Sequence, residues 1–136
     1  MFDIDNTLVP HGADSTPEVD ALFHRLHDMG FKTLLLSNNN RERIERLKAN
    51  FDTLYIEEAG KPDPQCFRRA AQTLGVERDE VVVMGDQLFT DILGANRADM
   101  DSILVKYIGH EKKEWKGYRR YLEAAVLWFY KRTKNR

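Results

Sequence analysis

The chain has 136 residues, of which 42% are hydrophobic and 32% are charged, and its formal net charge at pH 7 is −1. This size and balance fit one globular domain with a sizeable core and exclude a fibrous or low-complexity protein. The single cysteine, Cys66, excludes an intrachain disulfide and a multi-cysteine zinc site, and with no secretory segment in the sequence we expect a cytoplasmic protein.

Helix signals and apolar runs alternate along residues 1–109. Predicted helices start at Thr16-Pro17, Asn40, Asp63-Pro64 and Leu88. Predicted strands cover residues 32–36, 53–56, 81–84 and 102–105. Gly30 and Gly75 end the first and third helices, and we expect Asn39 and Asn40 to serve as turn and helix-cap residues.

This alternation predicts an α/β fold in which a mostly parallel sheet is covered by helices on both faces, a Rossmann-like three-layer sandwich. The domain would span residues 1–109. Only Met1 and Phe2 precede Asp3, whereas a strand commonly runs about five residues. We therefore expect a very short first strand and an under-paired centre of the sheet.

Polar residues follow the predicted strands, at the end where open α/β sheets bind ligands. Asp3 and Asp5 stand two residues apart, so one carboxylate can attack an electrophile while the other donates and recovers a proton. After the next apolar run, the Ser37 hydroxyl and nearby backbone amides can hold phosphate oxygens. Lys61, in a proline-stiffened loop, can neutralise charge on a transferring phosphoryl group.

Two more carboxylates, Asp86 and Asp91, follow the apolar run at residues 81–84. Together with Asp3 and Asp5 they form an oxygen-rich group of the kind that Mg²⁺ prefers. The residues thus favour a magnesium-dependent phosphoryl-transfer site.

These segments resemble, in order, the four motifs of the haloacid dehalogenase superfamily of phosphatases: DIDNT, the serine of LLLSNN, the lysine of GKPDP, and GDQLFTD. The fuller wording is similar to the YqeG-like branch of its III A subclass, and the resemblance covers about residues 1–109. Superfamily members often insert a cap domain, but residues 8–16 have room only for a small flap and residues 40–60 are used by one helix and one strand. We expect a capless enzyme, with His11 of the flap able to meet substrate.

The resemblance implies roles for five residues in catalysis and phosphate binding. Asp3 would be the nucleophile that becomes an aspartyl phosphate, and Asp5 would be the general acid and base. Ser37 and Lys61 would bind the phosphate group of a phosphomonoester. Asn38 would add its backbone amide to the phosphate site.

The resemblance also implies a magnesium site. Mg²⁺ would be held by the carboxylates of Asp3 and Asp86 and by the backbone carbonyl of Asp5. Thr7 would support the first loop, and Asp91 would orient either metal-bound water or Lys61.

The tail, residues 110–136, differs in charge from the rest of the chain. Its nine basic and three acidic residues give a formal charge of +6, which leaves −7 for residues 1–109. Apolar and aromatic residues recur there at helical spacing: Trp115, Tyr118, Leu122, Ala125 and Phe129. Two interpretations stay open, a stripe that packs on the sheet or on a partner subunit, and a basic amphipathic helix that lies on an anionic membrane.

We expect a magnesium-dependent phosphomonoester hydrolase. The YqeG-like family includes phosphatidylglycerophosphate phosphatases, which points to that phospholipid as substrate, with peripheral membrane contact through residues 110–136. The alternatives are a soluble sugar phosphate, a nucleic-acid phosphate end, or a non-catalytic binding protein with the same fold. Basic charge confined to the tail argues against nucleic acid, and a homo-oligomer could supply closure over the open site.

Overall fold

The computed structural model describes residues 1–109 and 118–134. The helices are α1 (Pro17–Asp28), α2 (Arg41–Leu47), α3 (Pro64–Leu74), α4 (Leu93–Arg97) and α5 (Tyr118–Lys134). The strands are β1 (Leu34–Leu36), β2 (Leu54–Ile56), β3 (Val82–Gly85) and β4 (Asp101–Leu104). A 3₁₀ turn at Arg78–Glu80 precedes β3, and a π-helical turn at Leu88–Ile92 leads into α4. These elements confirm the predicted order of helices and strands.

The sheet is parallel and is held together at its centre by Phe2. Strand β1 pairs with β2, and β3 pairs with β4. Phe2 forms single parallel bridges to Leu35 of β1 and Met84 of β3, so the first strand is as short as predicted. It is nevertheless paired on both sides, because the Phe2 amide donates to Leu34 and the Asp3 amide donates to Met84, each at 2.9 Å.

Helices cover both faces of this sheet, which confirms the three-layer fold. Because side chains alternate along a strand, Leu34 and Leu36 point to one face and Leu35 points to the other. The first face packs against α3 and α4, where Phe67 is fully buried. The second face packs against α1 and α2 around Phe23.

Local signals fix where the helices begin and end. The side chains of Thr16, Asn40 and Asp63 accept backbone hydrogen bonds at the starts of α1, α2 and α3. Gly75 follows α3 in the left-handed conformation that glycine adopts without strain. In α4, a Cβ at Gly94 would overlap the Phe67 ring, so this glycine lets α4 and α3 approach closely.

Between the flap and β2 there is no additional domain, and residues 1–109 are described throughout. The flap turns back at Val9, which bridges Asp5, and the chain then enters α1. Only α2 lies between β1 and β2. The capless architecture expected from the motif spacing is therefore confirmed.

Helix α5 leaves its apolar side chains exposed. Tyr118, Leu122 and Phe129 of the predicted stripe are 73%, 50% and 63% exposed, so the interpretation that the stripe packs on the sheet is wrong for this part of the tail. Trp115 lies outside the described residues. Within the two described ranges, we find no helix with the length and hydropathy needed to cross a bilayer.

Candidate active site

Three carboxylates converge at the carboxyl ends of the central strands. We call Asp3, Asp86 and Asp91 the acid cluster, since each offers an oxygen and these oxygens all lie within 4.8 Å of one another. Asp3 follows the Phe2 bridge, Asp86 follows β3, and Asp91 lies in the π-helical turn. The fold thus brings together residues that are 88 positions apart in the sequence.

Lys61 joins two members of the acid cluster. Its Nζ lies 2.7 Å from Asp3 Oδ1 and 2.6 Å from Asp91 Oδ1, and its side chain is 4% exposed. Burial alone would lower the pKa of Lys61, but the two carboxylates outweigh burial and raise it, so the lysine stays charged. Of the two roles predicted for Asp91, the structure contains the contact with Lys61.

The third carboxylate has a cation from the tail. Arg120 of α5 forms a very short ion pair with Asp86 Oδ2 and donates from Nη1 to the Asp86 carbonyl at 3.0 Å. The same Nη1 lies 3.0 Å from Glu123, which is itself buried. The helix whose apolar side chains are exposed is therefore attached to the core by charged groups at the predicted active site.

Burial raises the pKa of two carboxylates of the acid cluster, Asp3 and Asp86. Burial raises the pKa of Asp3, and the nearby charge of Asp91 adds to that shift while Lys61 opposes it. Burial also raises the pKa of Asp86 against the opposing effect of Arg120. Each carboxylate is thus destabilised in its charged form, and a further cation at this position would relieve that cost.

One hydroxyl and one glycine contribute to the arrangement of the acid cluster. The Thr7 hydroxyl lies 3.3 Å from Asp3 Oδ2 and 3.4 Å from Asp86 Oδ1, a position consistent with the predicted support of the first loop. A Cβ at Gly85 would overlap the Asp91 carboxylate. Glycine at this position therefore leaves the space in which Asp91 approaches the strand.

Asp5 lies in a different set of contacts from Asp3. Its Oδ1 accepts from Arg43 Nη2 and from the Gly12 amide, each at 3.0 Å, and its Oδ2 accepts from Asn39 Nδ2 at 2.6 Å. Burial alone would raise the pKa of Asp5, but these hydrogen bonds and the Arg43 charge outweigh burial and lower it. His11 Nδ1 is 3.6 Å from Oδ2, so the flap reaches the site, and contact between His11 and substrate stays a prediction.

Ser37 and Asn38 make hydrogen bonds within the loop after β1 and to the loop before α3. Ser37 is 1% exposed, and its hydroxyl oxygen accepts from the Asn39 amide at 3.1 Å. The Asn38 side chain accepts from the amides of Gly60 and Lys61 at 3.0 Å each. The Asn38 side chain thus positions the loop that carries Lys61, whereas the role predicted for Asn38 used its backbone amide.

The acid cluster fits a divalent cation in donor chemistry. It offers only carboxylate oxygens, the type that Mg²⁺ favours. The cluster contains Asp3 and Asp86, as predicted for the metal site, and adds Asp91. The third predicted ligand, the backbone carbonyl of Asp5, stays a prediction.

The sequence does not identify four residues of the site. It predicts Asn39 only as a turn residue, and it predicts no role for Arg43, Arg120 and Glu123. Helical spacing from the Asn40 cap places Arg43 one turn into α2, yet nothing local shows that it meets Asp5, 38 residues earlier. These contacts depend on tertiary packing.

Of two cavities, one is lined by residues of the site and the other is not. A cavity of about 410 Å³ is lined by Asp5, His11, Asn38, Asn39, Arg43 and Glu58, and we call it the Arg43 cavity. A larger cavity of about 570 Å³ lies beside Phe31, Val82 and Ile103. None of the predicted catalytic or phosphate-binding residues lines this second cavity, which is mainly apolar.

Comparison with known proteins agrees with the motifs. A family model for haloacid dehalogenase-like hydrolases matches residues 11–99. The Bacillus subtilis (strain 168) protein named "Probable phosphatase YqeG" is 33% identical over 128 residues, which cover 93% of this chain and 74% of that protein. Glyceraldehyde 3-phosphate phosphatase of Methanopyrus kandleri is 37% identical over 99 residues, 66% of this chain but only 42% of that enzyme.

A solved structure from Listeria monocytogenes serotype 4b has the same fold. It superposes with a TM-score of 0.64 and covers 82% of this chain and 82% of its own, at 22% sequence identity. At this identity the match supports the α/β architecture.

Proposed function

The chain belongs to the haloacid dehalogenase-like hydrolase family, as a YqeG-like phosphatase, and from this membership we propose that Asp3 and Asp5 hydrolyse a phosphomonoester through an aspartyl-phosphate intermediate. The observation that carries the proposal is the acid cluster, in which the nucleophile candidate shares Lys61 with Asp91. A carboxylate beside a fixed cation can approach an anionic phosphoryl group that would otherwise repel it.

Each bond change in the proposed reaction has a side chain assigned to it. An Asp3 carboxylate oxygen attacks phosphorus, and the bond from phosphorus to the ester oxygen breaks. Asp5 must be protonated when substrate is bound, although in the free site its hydrogen bonds and the Arg43 charge outweigh burial and lower its pKa. Asp5 gives that proton to the ester oxygen, so the alcohol leaves neutral. Water then attacks the phosphorus of the aspartyl phosphate, Asp5 takes the water proton, and Asp3 and inorganic phosphate are released. Lys61 and Ser37 hold the phosphoryl oxygens during both steps.

We propose that Mg²⁺ is held by Asp3, Asp86 and the backbone carbonyl of Asp5. The metal would supply positive charge that stabilises the charge on the phosphoryl oxygens. Asp91 acts on the reaction through Lys61, whose ammonium it fixes.

We propose phosphatidylglycerophosphate as the substrate, hydrolysed to phosphatidylglycerol and phosphate. Support comes from the position of α5, which Arg120 attaches beside Asp86 while Tyr118, Trp128 and Phe129 stay exposed. Arg132 lies over the Trp128 ring, and Lys134 lies over the ring of Tyr130, which is also exposed. A helix of this kind can lie on an anionic membrane surface, and the capless site would then face a lipid head group.

The test is phosphate release from phosphatidylglycerophosphate in mixed micelles beside a panel of soluble phosphomonoesters, with magnesium and with EDTA. Asp3→Asn should lower turnover of every substrate by at least about 10³-fold, because it removes the nucleophile. Turnover of soluble esters alone would overturn the lipid assignment and keep the phosphatase.

A matched pair of surface variants tests the role of α5. Phe129→Ser should lower turnover of the lipid and leave turnover of soluble esters unchanged. The control is Phe31→Ser, which removes an exposed aromatic ring from another part of the surface. Equal effects of the two variants on lipid turnover would contradict the membrane role of α5.

A soluble sugar or triose phosphate is the second candidate. The relative from Methanopyrus kandleri carries glyceraldehyde 3-phosphate in its name, although the matched region is less than half of that enzyme. The soluble panel includes this ester for that reason.

A further inference from the structure

Arg43 is the buried cation nearest to the predicted general acid. It lies on α2, its side chain is 9% exposed, and its Nη2 donates to Asp5 Oδ1 at 3.0 Å. Its Nε and Nη1 atoms are buried and have no hydrogen-bond partner among the described residues. Buried donors are normally paired, because an unpaired one loses its hydrogen bonds to water without replacing them.

Arg43 borders a cavity, but its two unpaired donors are buried, so the guanidinium would have to turn to present them there. Arg43 lines the Arg43 cavity together with Asp5, the residue that would give its proton to the leaving oxygen. A group entering this cavity is therefore attached to the leaving alcohol, on the other side of the ester oxygen from the phosphoryl group that Lys61 meets. The cavity volume of about 410 Å³ is large enough for a glycerol unit with an attached anion.

The lining of the cavity is polar and offers several donors. Asn39 Nδ2 already donates to Asp5, and the His11 ring lies at the mouth with 67% of its side chain exposed. Glu58 also borders the cavity, but it is exposed to solvent. Arg43 is thus a buried charged residue of this lining that has more hydrogen-bond donors than acceptor partners among the described residues.

We propose that Arg43 binds a second anion of the substrate, a phosphate group carried by the leaving alcohol, in the Arg43 cavity. This inference rests on the proposed phosphatase function and narrows its substrates to phosphomonoesters whose alcohol bears another phosphate. A guanidinium group suits this task because it presents several donors in one plane to phosphate oxygens. The guanidinium turns toward the cavity as the ligand enters.

The second phosphate has two chemical sources, the diester of a glycerophospholipid and the monoester of a soluble bisphosphate. The experiment measures binding by calorimetry with magnesium present, on the Asp3→Asn background, so that no ligand is consumed. The three ligands are glycerol 3-phosphate, glycerol 1,3-bisphosphate, and the deacylated head group of phosphatidylglycerophosphate. Only the last two carry a second phosphate.

The expected result is a preference that depends on Arg43. The two ligands with a second phosphate should bind about 10- to 100-fold more tightly than glycerol 3-phosphate, a ratio typical of a hydrogen-bonded charged pair. Adding Arg43→Gln should remove that preference and leave the affinity for glycerol 3-phosphate nearly unchanged. Preference for the head group over the bisphosphate identifies the lipid diester as the source, and the reverse order identifies the soluble monoester.

Two further variants make the test specific. Arg41→Gln changes the same charge on the same helix, but Arg41 is exposed and pairs with Glu57, so this control should keep the preference. Arg43→Lys keeps the cation without the planar donors and should keep only part of the preference, which gives a second reading if Arg43→Gln does not fold.

Each contrary outcome has a distinct meaning. Equal weakening of all three ligands by Arg43→Gln would show that Arg43 acts only by positioning Asp5, and this would overturn the inference. Equal binding of the three ligands before the substitution would overturn it while the phosphatase proposal stands. Failure of all three to bind would overturn the inference, and phosphate release by the unsubstituted protein then tests the phosphatase proposal separately, because Asp3→Asn also removes a proposed magnesium ligand.

Discussion

Residues 1–109 and helix α5 use charge and apolar surface in opposite ways. In residues 1–109 most of the large apolar side chains are inside, and the buried charges lie together at the site. In α5 most of the large apolar side chains are exposed, and the residue it buries is a charged one, Glu123. The core is therefore stabilised by apolar burial, whereas α5 is attached through ion pairs.

The two cations that pair with the acid cluster differ in the same way as the two regions. Lys61 is part of the core, 4% exposed, and serves two carboxylates, while Arg120 comes from α5, is 18% exposed, and serves Asp86. One cation is built into the fold and the other arrives with a helix whose attachment depends on the site. The position of α5 and the charge state of the site are thus linked.

Removing the cation of the core should have the largest effect. Lys61→Met leaves Asp3 and Asp91 buried without their counter-charge, so the free energy of unfolding should fall by about 3–5 kcal/mol, with loss of phosphatase activity. Urea denaturation measures the stability. Lys32→Met is the control, because Lys32 is exposed and donates to the backbone carbonyls of Leu74 and Gly75 at the end of α3, and its cost should stay at about 1 kcal/mol. Equal costs would contradict the central role of Lys61.

A pair of phenylalanine variants sharpens the comparison of apolar surface. Phe67→Ala should lower the free energy of unfolding by about 3–5 kcal/mol, since Phe67 is fully buried between α3 and α4. Phe129→Ala should change it by no more than about 0.5 kcal/mol, since Phe129 is 63% exposed on α5. Thermal and urea unfolding give both values. A large cost for Phe129→Ala would mean that α5 packs on the core.

The most direct test of the link comes from Arg120. Arg120→Gln should lower the free energy of unfolding by about 1–3 kcal/mol, because it leaves the Asp86 carboxylate, which is 0% exposed, without its cation. It should tighten Mg²⁺ binding roughly tenfold, because a nearby positive charge is removed from Asp86. Calorimetry measures the affinity for Mg²⁺ directly, without any turnover of substrate. Arg119→Gln, the same change at an exposed neighbour, should leave the affinity unchanged. Weaker metal binding by Arg120→Gln would show that Arg120 assists the metal instead.

The strands and most of the acid cluster could be predicted because their signals are local. An apolar run followed by an acid predicts both a strand and the edge of the sheet at which its acid lies, and this holds for Asp3 and Asp86. The cap residues Thr16, Asn40 and Asp63 were identified for the same reason, since a cap acts within one turn of its helix.

The contacts around Asp5 and the role of α5 could not be predicted, because they depend on distant packing. Arg43 reaches Asp5 only through the angle at which α2 lies on the sheet. The apolar residues of α5 recur at helical spacing whether or not another surface covers them, so the spacing does not predict that Phe129 is exposed. Arg120 and Asp86 are 34 residues apart, and no local pattern joins them.

The pairing of Phe2 with both β1 and β3 has a consequence for how the molecule moves. Amide hydrogens in the middle of a sheet exchange with solvent only when a large part of the fold opens, whereas loops and frayed helices exchange through small local openings. The Asp3 amide donates to Met84, so the backbone of the proposed nucleophile belongs to the part of the fold that opens last. Substrate entry would then be accommodated by the elements around it, the flap at residues 8–16 and α5, while the Asp3 backbone stays in place.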